Sequence, residues 1–272
     1  MKCASTWVSA CLRDHPEVLL SEPKETSYFL TRTGLPDYLG YFGGIEAYPQ
    51  AGEFTPLYLP NAKIVSKRIY DTLGPVKILI TLRNPVKRYL SHYKWIMGRR
   101  EDMPRAEFLH LDPRNFERAN SIEPRMLEFG HYREDIQIYI DRFGRDQVHV
   151  MLFEDIREEP LAEIQRVYAF LGVDDHFEPP SLHERVREGY VPRFEVLEKV
   201  KVQSYFMLKR YAPWSIDRLK QLRLEVLLRK VNAAKNEPLE VDPEVEAALR
   251  EHFRDEIAAM REFLGRDLVA WG

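Results

Sequence analysis

The chain has 272 residues, 44% hydrophobic and 31% charged, which is the balance of a soluble globular protein and excludes a disordered or fibrous one. Its 40 Lys and Arg against 43 Asp and Glu give a formal net charge of −3, which argues against a general nucleic-acid coat protein. From this charge balance we expect no nucleic-acid partner. No run of about 18 apolar residues occurs, so we expect no membrane-spanning segment.

The length allows one large α/β domain or two small ones. Because the sequence contains no internal repeat and no low-complexity linker, we expect a single domain over residues 1–272. The two cysteines, Cys3 and Cys11, are too few for a disulfide framework and favour a reducing compartment. The first residues contain no apolar signal region, and we therefore expect a cytoplasmic location.

Hydrophobic periodicity predicts the first elements of an α/β fold. Apolar residues at helical spacing begin after Thr6, and Pro16 ends this helix. Residues 33–61 are rich in Gly, Pro and aromatic residues, which predicts irregular loops that face a substrate. Residues 76–82 form a short, almost wholly apolar run, as expected of a strand buried on both faces of a parallel sheet.

The alternation continues along the chain. Asn84 suits the N-cap of a helix and Pro85 its first position. A helix over residues 132–143 and a buried strand over residues 148–153 follow. Strands that alternate with helices imply a parallel sheet with helices on both faces. A last helix is predicted to start at Asp242-Pro243.

The carboxyl-terminal part is predicted to be mostly helical beyond Pro192, and basic residues are frequent there. The basic positions are Arg210, Arg218, Lys220, Arg223, Arg229, Lys230 and Lys235. Such a run is most often a solvated helix face, although an anionic acceptor would suit it.

Two segments have the composition of anion sites at the rim of such a sheet. The first opens the first helix and reads Lys2-Cys3-Ala4-Ser5-Thr6-Trp7. It offers an ammonium group, hydroxyls and the amides of a helix N-terminus. The second follows the strand at 76–82, where Asn84, Arg88 and Ser91 share one face of the predicted helix, opposite its apolar stripe. Arg83 and Ser91 can both donate hydrogen bonds to phosphate, so the two segments predict a ligand phosphorylated at two places.

The pair of segments resembles the sulfotransferases that use 3'-phosphoadenosine 5'-phosphosulfate as sulfate donor. In that family a loop K-x-[GA]-[ST]-T-[TW] opens the first helix, and residues 2–7 match it. The second signature, R-[DN]-P-x-x-R-x-x-S, is matched at every defined position by residues 83–91. Shorter likenesses, among them Thr55-Pro56-Leu57-Tyr58 and Gly265-Arg266-Asp267-Leu268, extend the resemblance over nearly the whole chain.

The resemblance implies a P-loop-like parallel sheet flanked by helices and transfer of a sulfuryl group to a hydroxyl, most plausibly on a sugar-containing acceptor. It implies that the residues Lys2, Cys3, Ala4, Ser5, Thr6 and Trp7 hold the 5'-phosphosulfate, and that Arg83 and Ser91 hold the 3'-phosphate. Lys2 would neutralise the leaving oxygen and Glu25, in Lys24-Glu25-Thr26-Ser27-Tyr28-Phe29, would be the base. No metal is required, and no zinc or magnesium ligand cluster is apparent in the sequence.

Simpler interpretations of the same residues stay open. Residues 2–6 could be only a chain terminus and an N-cap, and Lys24-Glu25 only a solvated ion pair. Two other functions also remain: a P-loop kinase, which would need G-x-x-x-x-G-K-[ST], and a non-catalytic or impaired member that binds a phosphorylated nucleotide. The second rests on one departure from the family. There an apolar strand leads directly into the loop lysine, whereas here Met1 falls inside the loop, so we expect the first strand to be missing.

Overall fold

The computed structural model describes residues 2–100, 103–183 and 238–272. The basic positions between Arg210 and Lys235 therefore lie outside the described residues.

Helices make up most of the described residues. In chain order the α-helices are α1 (Ser5–Asp14), α2 (Tyr28–Thr31), α3 (Leu35–Leu39), α4 (Ala62–Leu73), α5 (Pro85–Met97), α6 (Arg105–Phe108), α7 (Pro113–Ile122), α8 (Arg133–Phe143), α9 (Phe153–Glu158), α10 (Pro160–Leu171) and α11 (Pro243–Leu264). The strands are β1 (Val18–Leu20), β2 (Gln50–Gly52), β3 (Ile78–Leu82), β4 (His110–Leu111), β5 (Val148–Leu152) and β6 (Glu240–Val241).

The strands form three parallel pairs: β1 with β2, β3 with β5, and β4 with β6. The longest pair runs in register from Ile78 opposite Val148 to Leu82 opposite Leu152. Because both strands end at the same level, the residues that follow them, Arg83 and Phe153, emerge side by side. The predicted strands at 76–82 and 148–153 and their parallel pairing are therefore confirmed.

The sequence predicted one parallel sheet, whereas the described strands form separate pairs. Residues 33–61 were expected to be irregular, yet they contain β2, which pairs with β1. A cavity of about 600 Å³ lies between this pair and the β3–β5 pair, and it is lined by residues 50–53 and 78–81. Consecutive side chains of a strand point to opposite faces, so a cavity lined by consecutive residues runs along the strand edges. In residues 2–4, ahead of α1, the structure describes no strand.

The predicted helix boundaries follow from local chemistry. Helix α5 begins at Pro85, with the Asn84 side chain accepting a hydrogen bond from the Lys87 amide at 2.9 Å. Helix α11 begins in the same way, because Asp242 accepts from the Glu244 amide at 2.8 Å. Helix α8 ends before Gly144, whose φ of 91° is unfavourable for residues with a Cβ.

Two hydrophobic clusters hold these elements together. The larger one joins α4, α5, α8 and α11, and its most deeply buried members include Tyr89, Tyr93, Ile136 and Phe253. The smaller cluster packs α1 against β1, β5 and α10 through residues such as Trp7, Val8 and Tyr168. Both faces of the β3–β5 pair are therefore fixed by packing, which positions the loops that follow the strands.

We expect Gly130→Ala to lower the free energy of unfolding by about 1–3 kcal/mol, because a Cβ there would lie 2.5 Å from Phe253 Cε1 and 3.2 Å from Pro85 Cβ. Urea unfolding would measure the loss. Gly43→Ala is the matched control, since a Cβ at Gly43 has no neighbour within 4 Å. Equal stabilities of the two variants would contradict this account of the packing.

Candidate anion-binding site

The amino-terminal loop, residues 2–4, has an unusual backbone. Lys2 and Ala4 have φ values of 67° and 68°, in the left-handed region that residues with a Cβ seldom adopt. The Ala4 carbonyl accepts the amides of Trp7 at 2.9 Å and Val8 at 3.1 Å, and so begins α1. Only a small side chain suits position 4, because Ala4 is buried as well as left-handed. A backbone turn of this kind in front of a helix N-terminus gathers amides into an anion-binding hollow.

The structure brings the two predicted segments into contact. The Arg83 guanidinium donates through Nη1 to the Lys2 carbonyl at 3.4 Å. It also lies over the Phe153 ring, 4.4 Å from its centroid. The Arg83 carbonyl accepts the Tyr132 hydroxyl at 2.9 Å. The loop before α1 and the end of β3 therefore form one site, which α8 supports through Tyr132.

Positive charge is concentrated at this site. Burial, Arg99 and Arg83 together lower the pKa of Lys2 to about 8, while Cys3 acts in the opposite direction. Burial, Arg88 and Lys2 lower the pKa of His92 to about 3, so this imidazole is neutral. Cations that destabilise one another in this way gain most when an anion binds between them.

Arg99 belongs to this charged site, although the sequence analysis did not single it out. It follows the last turn of α5, where its guanidinium lies 4.4 Å from the Trp95 ring centroid and donates to the Trp95 carbonyl at 3.0 Å. No family signature covers position 99. The sequence offered one signal: Arg99 follows Ser91 by eight residues, about two helical turns, so a continued helix would place both toward the same side of α5.

Helix α5 contributes its residues unequally. Arg88 is fully buried, with Nη2 donating to the Met126 carbonyl at 2.5 Å, and burial lowers its pKa. Asn84 is also buried, whereas Ser91 is partly exposed. The face expected to lie opposite the apolar stripe is therefore buried along much of its length. Arg88 braces the region beneath the site, and Ser91 retains access to a ligand.

The remaining loop residues point in different directions. Cys3 is buried, and both Cys3 and Ser5 line the cavity of about 600 Å³, whereas Thr6 is exposed. Trp7 is buried, and its indole Nε1 donates to the Leu182 carbonyl at 3.1 Å. The Trp7 side chain therefore anchors α1 in the smaller core.

Glu25 lies on the loop between β1 and α2, where its carboxylate pairs with Lys24 Nζ at 3.0 Å and its side chain is 50% exposed. Two cavities reach Cys3: the large one is lined by Glu53, and a small one by Asp135. Glu25 lines neither of these two. Burial and the neighbouring Glu134 raise the pKa of Asp135 to about 6, while Arg125 and Lys63 act in the opposite direction.

Residues of the site are held from the carboxyl-terminal side. Glu154 accepts the Asn84 amide through Oε1 and the Trp271 indole through Oε2, both at 3.1 Å. Asp155 accepts Arg266 Nη2 at 2.6 Å. The segment after α11 thus covers the ends of β3 and β5.

Metal-binding groups and membrane-spanning helices can be assessed for the described residues. Within residues 2–100, 103–183 and 238–272, no group of three or more His, Cys, Asp or Glu could hold a metal ion. The helices described there include none long and apolar enough to cross a membrane.

The family model and two relatives that match this chain are all sulfotransferases. A family model described as "Sulfotransferase domain" matches residues 2–208. Over 143 residues the chain is 29% identical to the membrane-associated sulfotransferase kil1 of Dictyostelium discoideum, covering 49% of this chain and 30% of that protein. Over 158 residues it is 27% identical to human heparan sulfate glucosamine 3-O-sulfotransferase 5, covering 56% of this chain and 45% of that protein. The matching part of the chain thus spans less than half the length of these curated relatives.

A sulfotransferase of Alicyclobacillus acidocaldarius has the same fold. The two structures superpose with a TM-score of 0.64 over 99% of this chain and 94% of the other, at 23% sequence identity. At that identity the likeness shows the fold alone. It agrees with parallel strands flanked by helices.

We expect Asp135→Asn to stabilise the protein at neutral pH. The pKa of Asp135 is about 6 in the folded protein and 3.8 in the unfolded chain. Between pH 3.8 and about 6 the folded protein therefore binds a proton at Asp135 that the unfolded chain has lost. Stability is therefore lost as pH rises from about 4 to about 6, by on the order of 1 kcal/mol. Melting temperatures measured from pH 4 to 7.5 should show this decline in the wild type and a smaller one in Asp135→Asn. The exposed Asp146→Asn is the control; if it changes the profile equally, Asp135 is not responsible.

Proposed function

The chain belongs to the sulfotransferase domain family, and from this premise we propose that it transfers a sulfuryl group from 3'-phosphoadenosine 5'-phosphosulfate to a hydroxyl of a sugar-containing acceptor. One observation carries the proposal: Arg83 Nη1 lies 3.4 Å from the Lys2 carbonyl. This contact joins the two segments that would hold the two phosphate-bearing ends of the donor.

The residues fit such a donor. The amino-terminal loop presents Lys2 and the first amides of α1, with the backbone of residues 3–7 forming the hollow for the 5'-phosphosulfate. Arg83 and the partly exposed Ser91 provide donors for the 3'-phosphate. Burial and repulsion from Arg99 and Arg83 lower the pKa of Lys2, and a bound anion would relieve that repulsion.

Transfer requires positioning and charge stabilisation from the protein. In the reaction the S–O bond to the donor phosphate breaks, a bond forms from sulfur to the acceptor oxygen, and the acceptor loses its proton. Lys2 Nζ would neutralise the negative charge that develops on the leaving phosphate oxygen. A pKa of about 8 leaves Lys2 mostly protonated at neutral pH and able to donate that proton. The Glu25 carboxylate would accept the acceptor's proton.

The acceptor assignment draws on the relatives and on local charge. The human relative is named for the glucosamine of heparan sulfate, which is an anionic glycan. In this chain Lys63 and Arg125 lie close enough to Asp135 to affect its pKa, and they pair with Glu134 at 3.2 Å and with Glu128 at 2.9 Å. An anionic sugar would replace these carboxylates as the partners of the two cations. A single domain over residues 1–272 and a cytoplasmic location remain predictions.

A transfer assay with labelled donor and a panel of glycan and small-molecule alcohols tests the proposal. We expect Lys2→Ala and Glu25→Ala to lower kcat at least a hundredfold, and Arg83→Ala to weaken donor binding at least tenfold. Lys67→Ala is the matched control, because Lys67 is exposed and pairs with Asp71. Full activity in Lys2→Ala would overturn the mechanism.

Thermal shifts separate the two other functions. Adenosine 3',5'-bisphosphate without metal should stabilise a sulfotransferase, whereas a kinase would respond to Mg–ATP. Stabilisation by Mg–ATP alone would favour the kinase. Stabilisation by the bisphosphate with no transfer to any acceptor would favour the non-catalytic member.

We expect Lys2 to make donor-site affinity depend on pH. Its pKa of about 8 means that the wild type loses this charge as pH rises through that value, so binding of adenosine 3',5'-bisphosphate should weaken, approaching tenfold per pH unit at higher pH. Lys2→Arg keeps its charge and should bind with constant affinity from pH 7 to 10. Isothermal titration calorimetry measures both. The same slope in both proteins would show that another group titrates.

A further inference from the structure

The backbone on both sides of Glu25 is held by a second loop, residues 53–58. The Phe54 amide donates to the Lys24 carbonyl at 3.1 Å, immediately before Glu25. Immediately after it, the Thr26 amide donates to Glu53 Oε2 at 3.2 Å. The main chain at Glu25 is therefore fixed, while its side chain is 50% exposed.

The Glu53 carboxylate is the centre of this connection. Besides the Thr26 amide, it accepts the Thr55 hydroxyl at 2.7 Å and the Tyr58 hydroxyl at 2.6 Å. Each of these hydroxyls also accepts a hydrogen bond from a backbone amide. Thr55 Oγ1 accepts the Ser27 amide at 3.1 Å, and the Tyr58 oxygen accepts the Phe29 amide at 3.1 Å. One partly buried carboxylate thus orders three backbone amides of the loop that carries Glu25.

The loop needs such support because its backbone is strained. Ser27 has a φ of 53°, in the left-handed region, and its hydroxyl makes no capping bond to α2. A residue in this conformation is strained, and contacts with its surroundings must compensate for the strain. The Ser27 amide is held by Thr55, and Thr55 in turn by Glu53.

Glu53 also connects the loop to the donor side of the site. The cavity of about 600 Å³ is lined both by Glu53 and Thr55 and by Cys3 and Ser5 of the first loop and helix. The same carboxylate therefore borders the space beside the amino-terminal loop and fixes the loop of Glu25.

We propose that Glu53 is a positioning residue for sulfuryl transfer, whose carboxylate fixes residues 24–29 so that Glu25 meets the acceptor hydroxyl in one orientation. This inference rests on the proposed function, in which Glu25 takes the acceptor's proton. Glu53 itself makes no contact with reacting atoms in this role, because its oxygens are engaged by Thr26, Thr55 and Tyr58.

Glu53→Gln is the direct test. The carboxamide keeps the shape but has one accepting oxygen in place of two. The Thr26 amide and the Thr55 hydroxyl both need this oxygen at the Oε2 position, which leaves the amino group facing Tyr58. The Tyr58 hydroxyl must then stop donating and accept, although its oxygen already accepts the Phe29 amide. We expect kcat to fall at least tenfold, with the acceptor KM and the affinity for adenosine 3',5'-bisphosphate unchanged within twofold. The acid limb of the kcat–pH profile should persist in Glu53→Gln and vanish in Glu25→Gln. Glu22→Gln, an exposed carboxylate paired with Arg13, is the matched control.

A second pair of variants keeps the test valid if Glu53→Gln does not fold. Thr55→Ser retains the hydroxyl that joins Glu53 to the Ser27 amide, and Thr55→Val replaces it with a methyl group of the same shape. We expect wild-type kcat in Thr55→Ser and a several-fold lower kcat in Thr55→Val. Equal kcat values in these two would overturn the inference.

The remaining outcomes separate this inference from the function on which it rests. If the wild type transfers no sulfate, the proposed function fails and the inference fails with it. If Glu25→Gln is inactive while Glu53→Gln has wild-type kcat, the inference alone is overturned. A loss in Glu53→Gln that falls equally on bisphosphate binding and melting temperature would also overturn it, because it would mark a general structural role.

Discussion

Two cations held side by side, Lys2 and Arg83, are the constraint around which the described structure is organised. Each is partly removed from water, and each makes the positive charge of the other less favourable. Their proximity therefore has to be maintained by other interactions. Phe153 stacks on the guanidinium, and Tyr132 holds the Arg83 main chain. Without a bound anion the fold sustains this repulsion, which is the arrangement expected of a preorganised anion site.

The supports of this site come from distant parts of the chain. Tyr132 precedes α8, Glu154 lies in the first turn of α9, and Trp271 lies near the end of the described residues. They converge because β3 and β5 are parallel and end in register, which brings the segments after both strands to one rim. The loop of Glu25 is supported separately, through Glu53 and the residues that follow β2. The contact between Lys2 and Arg83 and the loop of Glu25 thus rest on different strand pairs, which meet along the cavity between β2 and β3.

Local signals in the sequence predicted much of this arrangement. The apolar run before Arg83 and the Asn84-Pro85 cap predicted β3 and α5, and the spacing from Lys2 to Trp7 predicted the start of α1. Strands β1 and β2 escaped prediction because each has three residues, too few for a periodic pattern. Arg88 was placed correctly along α5, but its burial could not be foreseen, since it depends on the Met126 carbonyl 38 residues away. The involvement of Arg99 and Glu53 likewise arises from contacts between elements.

The hydrogen bond from the Asn84 amide to Glu154 has a consequence for selectivity. Helix α5 begins one residue later, and its N-terminus attracts negative charge as helix starts do. Glu154 supplies a carboxylate there from within the chain, and its other oxygen accepts the Trp271 indole. The two helix starts on this rim therefore differ: α5 already faces a carboxylate of the protein, so an outside anion beside it depends on side-chain donors such as Arg83 and Ser91. A ligand with two unlike anionic ends would meet backbone amides at α1 and side chains at α5.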